Sequence, residues 1–413
     1  MSEVAQVPQL RFPEFNGDLE EKKLDDVGSF KSGTGFTEAE QGGKSGVPFF
    51  KVSDMNLEGN QKVMVSANNY VNDEQIARLN YKPINKKSVI FAKVGAAVFL
   101  ERKRIADSFL IDNNMMAFTP TEDIDFIRQW FDTVRLSKYA QVGALPSYNA
   151  SDLKTIKINL PSLPEQTKIA AFLTAVDSKI EQLSKKQELL GEYKKGLMQQ
   201  IFSQAIRFKA DDGSDFPDWE EVKLGNIGEF KTSSVDKKIV EGQKLIQLVN
   251  YMNVYKHENI KNNSTKDLMI VSANETQLNA SDLKKGDILF TPSSETPDDI
   301  GHSVVIFEDL MDTLYSYHLM RFRPKVQLDI LYSHYFCNIP DVLRQISRVA
   351  TGSTRFTISV GEFSKIQINL PSLLEQTKIA NFLSAIDNKI EKVGKQLVES
   401  KQFKKALLQQ MFV

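Results

Sequence analysis

Residues 156–202 read IKINLPSLPEQTKIAAFLTAVDSKIEQLSKKQELLGEYKKGLMQQIF, and residues 366–412 read IQINLPSLLEQTKIANFLSAIDNKIEKVGKQLVESKQFKKALLQQMF. Aligned without a gap at an offset of 210, the two stretches are identical at 27 of 47 positions. The remaining sequence matches itself far less well, so this duplication is the frame of the protein. It predicts two equivalent halves, each ending in the same segment.

A second, weaker repeat marks the start of each half. Residues 18–33 (DLEEKKLDDVGSFKSG) match residues 218–233 (DWEEVKLGNIGEFKTS) at 8 of 16 positions. Each half therefore has a duplicated entry, a divergent block and a duplicated exit. The predicted boundaries are an N-terminal arm at 1–16, a first domain at 17–155, a first spacer helix at 156–205, a linker at 206–216, a second domain at 217–365 and a second spacer helix at 366–413.

The exit segments carry the signals of long helices. Ser162 with Glu165, and Ser372 with Glu375, form S-x-x-E capping boxes, which satisfy free amides of a first helical turn. Beyond each box, apolar residues recur at alternating spacings of three and four, the a/d pattern of a coiled coil. The predicted seam or partner-docking residues are Leu173, Val176, Ile180 and Lys194 in the first copy, and Leu383, Ile386, Ile390 and Lys404 in the second.

These helices are predicted to pair with each other in an antiparallel coiled coil. The second helix begins only after the second domain, so pairing along both seams requires it to run back toward the first domain. At about 1.5 Å per residue, such a spacer would hold the two domains apart. Lys194 and Lys404 interrupt the seams at equivalent positions, and we expect them to mark where the helices grip another surface.

The divergent blocks have the pattern of mixed α/β domains. Short strand-like runs at residues 47–52, 88–92 and 96–100, and at 285–291 and 303–307, are separated by glycine, proline and asparagine. The predicted fold class is α+β, with two α/β domains separated by a long antiparallel two-helix coiled coil and with internal pseudo-two-fold symmetry.

Composition narrows the class of protein. The content of 41% hydrophobic and 25% charged residues is typical of a soluble globular chain. No apolar run reaches the roughly 18 residues that a membrane span needs, so we expect a cytoplasmic protein without membrane contact. The single cysteine, Cys337, excludes an internal disulfide and a cysteine-rich zinc site.

Charge is balanced over the whole chain, with 52 basic and 53 acidic residues, so the total does not predict nucleic-acid binding. Residues 78–104 are the exception, because eight basic side chains there are accompanied by Glu101 alone. Such a segment can neutralise phosphates, although a solvated lysine-rich face has the same pattern.

The doubled signature INLPSL-x-EQTKIA-x-FL, placed after each of two unlike domains, resembles the specificity subunit of a type I restriction-modification system. The resemblance covers essentially the whole chain. It implies two target recognition domains, each reading one half of a bipartite, interrupted sequence in double-stranded DNA. It also implies that the helices dock two modification subunits, through which restriction subunits join. S-adenosylmethionine, ATP and Mg would then belong to those partners, leaving no cofactor in this chain.

The resemblance also places three candidate DNA-binding loops in each domain. Arginine can bond guanine bidentately, asparagine can bond adenine, and serine or threonine can bond bases or phosphates. For Tyr148, packing against its own domain is an alternative, and for Arg355, an ion pair. The acidic loop at 291–301 can instead be held off the phosphates. The predicted DNA-binding residues are Lys31, Lys44, Lys93, Arg102, Lys103, Arg104, Ser147, Tyr148 and Asn149 in the first domain, and Lys231, Ser293, Ser294, His302, Ser353, Thr354 and Arg355 in the second.

The stretches that resemble catalytic motifs do not have the residue spacing that those motifs require. Residues 42–45 (GGKS) suggest a phosphate-binding loop, but Glu38 stands where that motif needs its first glycine. Asp218, Glu221 and Lys223 have the residue types of a metal-dependent nuclease without the separation between its carboxylates. We therefore predict no catalytic, cofactor-binding or metal-binding residue in this chain.

Two other functions stay open at the level of sequence. One is a DNA-binding regulator that acts without partners, which tight specific binding by the chain alone would favour. The other is a coiled-coil adaptor with no role on nucleic acid, which the basic segment at 78–104 and the symmetry of the two domains disfavour.

Overall fold

The computed structural model describes residues 7–141, 143, 145–258, 260–261 and 265–412. Residues 1–6 of the predicted arm and residue 413 of the second spacer segment lie outside the described residues. The chain divides into unit 1, residues 1–185 and 394–413, and unit 2, residues 186–393. Each long helix contributes residues to both units.

Unit 1 is a mixed α/β unit built on the first divergent block. Its helices are α1 (Asp73–Arg78), α2 (Ile124–Thr133), α3 (Ala150–Lys154) and the first part of α4 (Leu163–Phe202). Its strands are β1 (Glu20–Lys23), β2 (Gly28–Ser32), β3 (Val47–Phe50), β4 (Tyr70–Val71), β5 (Ser88–Ala92), β6 (Lys103–Ala106), β7 (Leu110–Ile111), β8 (Met115–Pro120) and β9 (Lys157–Leu160).

The main sheet of unit 1 is antiparallel, with strand order β2-β8-β5-β6, and a smaller sheet has the order β4-β3-β7. Strand β5 is buried on both faces, because successive side chains of a strand point in opposite directions. Val89 and Phe91 pack against α2 and the long helices, whereas Ile90 packs into a second core toward the smaller sheet. The sheet is therefore the middle layer of the unit.

Unit 2 repeats this plan, with the main sheet in the order β11-β18-β14-β16 and smaller sheets β13-β12-β17 and β15-β19. Its strands are β10 (Glu220–Lys223), β11 (Gly228–Thr232), β12 (Lys244–Val249), β13 (Met269–Ala273), β14 (Ile288–Phe290), β15 (Ser293–Ser294), β16 (Ser303–Val305), β17 (Thr313–Tyr315), β18 (Met320–Pro324), β19 (Phe356–Thr357) and β20 (Gln367–Leu370). Its helices are α5 (Leu224–Ile227), α6 (Tyr251–Tyr255), α7 (Glu275–Ala280), α8 (Ile330–Phe336), α9 (Pro340–Val349), α10 (Val360–Lys365) and the first part of α11 (Leu373–Met411).

Each duplicated exit begins with a strand and continues as a helix. Strand β9 pairs with β1, and β20 pairs with β10 in the equivalent antiparallel register. The helices start at Leu163 and Leu373, several residues after the start of the repeated segment. The two repeats recognised in the sequence, entry and exit, are thus paired strands in each unit. Among the described residues, no helix is both long and apolar enough to cross a membrane.

The long helices pair in an antiparallel manner within each unit. In unit 1, Leu407 near the end of α11 shares a core with Leu173 near the start of α4. In unit 2, Ile201 near the end of α4 shares a core with Leu383 near the start of α11. The seam pattern is therefore used as predicted, with Leu173, Leu383 and Ile386 buried and Val176, Ile180 and Ile390 half-buried.

The lysines that interrupt the seams are neutralised inside the chain. In unit 1, Lys404 Nζ lies 2.8 Å from Asp177 Oδ1, and in unit 2, Lys194 Nζ lies 2.6 Å from Asp387 Oδ1. The two aspartates are equivalent at the offset of 210, so each pair joins α4 to α11 with the roles of the helices exchanged. A carboxylate on the paired helix thus holds each lysine, and the expectation that Lys194 and Lys404 also grip another subunit stays a prediction.

The glutamates of the predicted capping boxes bond arginine side chains. Ser372 accepts a bond from the Glu375 amide at 3.4 Å, but both glutamate side chains turn to arginines. Glu165 is held bidentately by Arg11 at 2.7 Å, and Glu375 by Arg207 at 2.9 and 3.2 Å. Both carboxylates are buried, so these arginines neutralise charges that would otherwise destabilise the helix starts.

Candidate nucleic-acid interface

In unit 1, the loops after β2 and β5 leave the main sheet at the same end. Ser32, the last residue of β2, pairs with Met116 of β8, and Ala92, the last residue of β5, pairs with Met115. Because β8 begins where its two neighbours end, the first and second predicted loops emerge side by side. The topology, not sequence proximity, brings them together.

The third predicted loop of unit 1 is joined to the second. Ser147 forms a bridge with Val94, the Gly95 amide donates to Pro146 O at 2.7 Å, and the Tyr148 amide donates to Lys93 O. Gly95 has a φ of 79°, a left-handed conformation that suits glycine. Residues 31–44, 93–104 and 147–149 are therefore one surface region, which we call the unit-1 loop cluster.

Unit 2 forms the equivalent cluster with its own residues. Thr232 and Phe290, at the ends of β11 and β14, both pair with Met320 at the start of β18. Strand β15 pairs with β19, which joins the second loop to the third, and the Ile358 amide donates to Pro292 O at 2.9 Å. Residues 231–238, 291–302 and 352–355 are the unit-2 loop cluster.

Each loop cluster lies at the sheet end away from the start of its long helix. At the opposite end of the unit-1 sheet, Gln166 of α4 accepts from the Asp123 amide just after β8. In unit 2, Gln376 of α11 accepts from the Asp329 amide in the same way. The helices hold one end of each sheet and leave the other end free for a ligand.

Several predicted residues of unit 1 stand on the loop-cluster surface. Lys31 and Lys44 are exposed, and Lys93 and Ser147 are half-buried. Lys31 Nζ donates to the Lys82 carbonyl oxygen, and burial beside the Lys82 side chain lowers the pKa of Lys31. Asn149 is exposed but also caps α3, accepting from the Asp152 amide at 3.2 Å. Their contacts with DNA stay predictions.

Two predicted DNA contacts of unit 1 are corrected by burial. Tyr148 is 4% exposed, and its hydroxyl donates to Ala92 O at 2.5 Å, so the alternative of packing in its own domain applies. Burial accordingly raises the pKa of Tyr148 far above its usual range. Lys103 is 3% exposed and donates to Glu101 at 2.7 Å and to Val134 O at 3.0 Å. Neither side chain is presented to a duplex.

Half of the basic side chains in residues 78–104 bond other groups of unit 1. Arg78 pairs with Glu40 at 2.7 Å, and Arg102 donates to Asn56 Oδ1. Arg104 donates to Asn60 O at 2.7 Å, and burial, with a smaller effect of Arg102, lowers its pKa. The expectation of a continuous phosphate-neutralising stretch is therefore too broad, since the exposed basic residues of the segment are Arg78, which pairs with Glu40, and Lys82, Lys86 and Lys87.

In unit 2, Ser353, Thr354 and Arg355 are exposed, while Ser293 and Ser294 are buried in strand β15. Arg355 Nη2 lies 3.4 Å from Ser293 Oγ, so the second and third loops also meet through side chains. Burial leaves the two serines little surface to offer a duplex. Lys231, the last residue but one of strand β11, is half-buried.

His302 belongs to a hydrogen-bonded group that sequence reasoning missed. Its Nε2 lies 2.8 Å from Asp299 Oδ1, and its Nδ1 lies 3.2 Å from His257 Nε2. Tyr255 donates to Asp299 Oδ2 at 3.1 Å and stacks near Tyr251. The two tyrosines, four residues apart on α6, were the available signal, since that spacing puts them on one face. In the described part of the chain, no group of three or more His, Cys, Asp or Glu could hold a metal ion.

Comparisons with known proteins extend this picture beyond geometry. The family model described as type I restriction modification DNA specificity domain matches residues 16–190 and 217–400. The putative type I restriction enzyme MjaX specificity subunit of Methanocaldococcus jannaschii is 25% identical over 406 residues, covering 91% of this chain and 88% of that protein. The type I restriction enzyme MjaVIII specificity subunit of the same organism is 26% identical over 276 residues, covering 64% of this chain and 63% of that protein.

Solved structures agree on the fold. A crystal structure of a type I restriction-modification S subunit from M. genitalium covers 99% of both chains, with a TM-score of 0.57 at 15% identity. A structure described as the basis of complex assembly and conformational transition of the type I R-M system covers 95% of this chain and 97% of its own, with a TM-score of 0.57 at 16% identity. Since the family model spans most of the sequence in two matches, the chain belongs to the type I restriction-modification DNA specificity domain family and carries two copies of that domain.

Proposed function

We propose that this chain is the non-catalytic subunit that selects the DNA sequence for a type I restriction-modification complex, each unit reading one half of a bipartite, interrupted target. The observation that carries the proposal is the pair of loop clusters. Each lies at the equivalent end of the main sheet of its own unit, yet the two clusters share few side chains, so the two half-sites should differ in sequence.

The helices are proposed to dock two modification subunits, which methylate adenine, and restriction subunits join through those. Exposed aromatic side chains at equivalent positions support this, because Tyr193 of α4 and Phe403 of α11 are both more than half exposed. A repeated apolar position suits two copies of one partner. S-adenosylmethionine, ATP and Mg are proposed to be bound by those partners.

The central test is a domain exchange. Replacing residues 217–365 with the corresponding block of another specificity subunit should change one half of the methyladenine motif in a long-read methylome. The other half should persist, because unit 1 is untouched. Replacing residues 17–155 is the matched control and should change the opposite half. An unchanged methylome in a strain with no second copy of the gene would refute the proposal.

A binding measurement separates this function from that of a regulator acting alone. The chain has almost no net charge, so we expect weak DNA affinity in isolation and higher affinity once the modification subunits are added. Titration of a target duplex with and without those subunits, at one salt concentration, measures the difference. Equal and tight binding in both cases would favour the regulator.

A further inference from the structure

The unit-1 loop cluster ends in an exposed apolar surface. Phe99 and Leu100, which close the 3-10 helix Ala96–Leu100, are 59% and 60% exposed. Leu145 is 63% exposed and lies beside Gly95, with Cδ1 3.6 Å from the position a Cβ would occupy there. We call Phe99, Leu100 and Leu145 the apolar tip. A group of exposed large apolar side chains on neighbouring segments suits an interaction site.

The tip stands on a rigid base. Val98, the residue before Phe99, is buried in the main core of the unit. Glu101, the residue after Leu100, adopts a left-handed conformation with φ of 50° and accepts from the Leu136 and Ser137 amides at 3.1 and 2.9 Å. Burial alone would raise the pKa of Glu101, but bonds from Lys103 and Ser137 outweigh it and hold that pKa below its usual range.

Glu101 also fixes a basic rim beside the tip. By holding residues 136 and 137, it positions the 3-10 helix Leu136–Tyr139 against the helix of the tip. Arg135 and Lys138, which flank those anchored residues, are exposed, and Lys93, two residues before Gly95, is half-buried. None of these three cations has an ion pair among the described residues. The carboxylate of Glu101, which anchors the 3-10 helix, is already neutralised by Lys103.

We infer that the apolar tip enters a groove of the DNA duplex and contacts bases through apolar atoms, while Lys93, Arg135 and Lys138 bind the flanking phosphates. The inference rests on the proposed function and adds contacts that the three predicted loops do not include. Apolar side chains that enter a groove contact thymine methyls or press against base steps, and cations at the rim hold the backbone.

The charge pattern favours DNA over a protein partner. Protein interfaces place charged residues sparingly around an apolar centre, and lysine in particular is depleted there. Here the segments next to the apolar tip carry three cations without an ion pair among the described residues, and the carboxylate of Glu101 is neutralised by Lys103, which suits a polyanion. The corresponding turn of unit 2, Pro297–Asp299, carries two carboxylates instead, so only one half-site would receive such a contact.

Two double variants of the assembled complex test the inference by salt dependence. Phe99→Ser with Leu100→Ser should weaken binding to the target duplex about tenfold or more, the usual cost of losing one base contact. The slope of log affinity against log salt should not change, because no charge is removed. Arg135→Ala with Lys138→Ala should make that negative slope shallower by about 1.8, because two phosphate contacts are lost.

Val65→Ser is the matched control, because Val65 is 67% exposed in unit 1 but outside the loop cluster. Its affinity and slope should equal those of the wild type, and the fluorescence of Trp130 should report a folded unit 1 in every variant. Wild-type affinity in the Phe99→Ser, Leu100→Ser variant would overturn this inference and leave the proposed function untouched. Loss of assembly with the modification subunits in the absence of DNA would overturn it in favour of protein docking. A wild-type complex without any sequence preference would instead refute the proposed function.

Discussion

The two units are alike where they hold the helices and different at their loop clusters, at the other end of each main sheet. At the helix side, Arg11 binds Glu165 in unit 1 and Arg207 binds Glu375 in unit 2. The next residues repeat the likeness, since Phe12 packs on Phe172 at 5.7 Å and Phe208 packs on Phe382 at 5.4 Å. This third repeat, L-R-F at 10–12 and I-R-F at 206–208, escaped the sequence comparison because it is only three residues long.

The N-terminal arm and the linker therefore make equivalent contacts with the long helices. In unit 1, the Leu10 amide donates to Gln410 O of α11, and in unit 2, the Ile206 amide donates to Gln200 O of α4. Gln200 and Gln410 are equivalent at the offset of 210. Leu10 of the arm thus lies beside the end of α11 as Ile206 of the linker lies beside the end of α4, although only the linker continues directly from its helix.

The two loop clusters, in contrast, have different side chains in the two units. The unit-1 cluster has apolar side chains with cations around them, whereas the unit-2 cluster has a hydrogen-bonded group of Tyr255, Asp299, His302 and His257. The sheets beneath have the same strand order. The comparison teaches that the sheet tolerates very different loops at one end, provided that its other end keeps the contacts with the helices.

The largest expected effect tests the shared helix end. Removing either arginine leaves a carboxylate buried, at 2% exposure for Glu165 and 0% for Glu375. Arg11→Ala should therefore lower the free energy of unfolding of unit 1 by about 3 kcal/mol. Arg207→Ala should cost somewhat less in unit 2, because Trp219 Nε1 still donates to Glu375 at 3.0 Å.

Urea unfolding can follow each unit separately in single-tryptophan variants, with Trp219→Phe leaving Trp130 in unit 1 and Trp130→Phe leaving Trp219 in unit 2. Arg344→Ala is the control, since Arg344 pairs with Asp341 at the exposed surface and should cost less than about 0.5 kcal/mol. Arginine variants that cost no more than this control would show that the buried pairs do not stabilise the frame.

The next effect tests how the first loops diverged. A Cβ on Gly33 would stand 1.7 Å from the Asp112 carbonyl oxygen, whereas unit 2 has Ser233 at the corresponding position. Gly33→Ser should destabilise unit 1 by about 2 kcal/mol, because backbone rather than a flexible side chain must shift. In the reciprocal Ser233→Gly, loss of the 3.0 Å contact with Ser281 Oγ should cost about 1 kcal/mol. Equal costs for both, measured by urea unfolding, would contradict this steric account.

A smaller effect separates the two seam pairs. The Asp177 side chain is 9% exposed and that of Asp387 is 36% exposed, so loss of the lysine should matter more in unit 1. Burial would raise the pKa of Asp177, but the bond with Lys404 outweighs it and lowers that pKa. Lys404→Met should destabilise unit 1 by about 1 to 2 kcal/mol, and Lys194→Met should destabilise unit 2 by less than about 1 kcal/mol.

Double variants supply the control for the seam pairs. Adding Asp177→Asn to Lys404→Met should restore only part of the loss, because Asp177 also pairs with the buried Arg128 at 3.4 Å and that contact is weakened too. The same pairing of Asp387→Asn with Lys194→Met should restore little. A coupling energy that is equal in the two double-mutant cycles would mean that burial of the aspartate does not decide the cost.

Periodicity and duplication made the helical frame predictable. An a/d pattern sustained along both helices fixes which faces are buried, and chain connectivity then leaves only the antiparallel pairing. The aspartates that neutralise Lys194 and Lys404 were not predicted, because Asp177 and Asp387 lie beside the apolar seam and look like solvated residues. Their role depends on which side chain stands opposite on the paired helix.

The loop clusters were predictable as loops but not as surfaces. Sequence position placed Tyr148 and Lys103 among polar neighbours, yet both are buried, where Tyr148 bonds Ala92 O and Lys103 bonds Glu101 and Val134 O. Phe99 and Leu100 differ in the opposite sense, because residues 96–100, predicted as a strand-like run, form a 3-10 helix that leaves both side chains exposed. Which side of a turn faces water depends on the φ of Glu101, a backbone property that composition does not reveal.

The smallest expected effect is a difference in acid sensitivity, because all four histidines belong to unit 2. Burial lowers the pKa of His334, and the nearby Lys194 adds to this. Since the unfolded chain binds a proton near pH 6.5 and folded His334 binds it only at lower pH, unit 2 should lose stability as pH falls below about 6.5. Between pH 7 and pH 5.5 the urea midpoint reported by Trp219 should fall, while the midpoint reported by Trp130 changes less. His334→Gln should flatten the Trp219 profile, and an unchanged slope in that variant would assign the acid sensitivity to other groups.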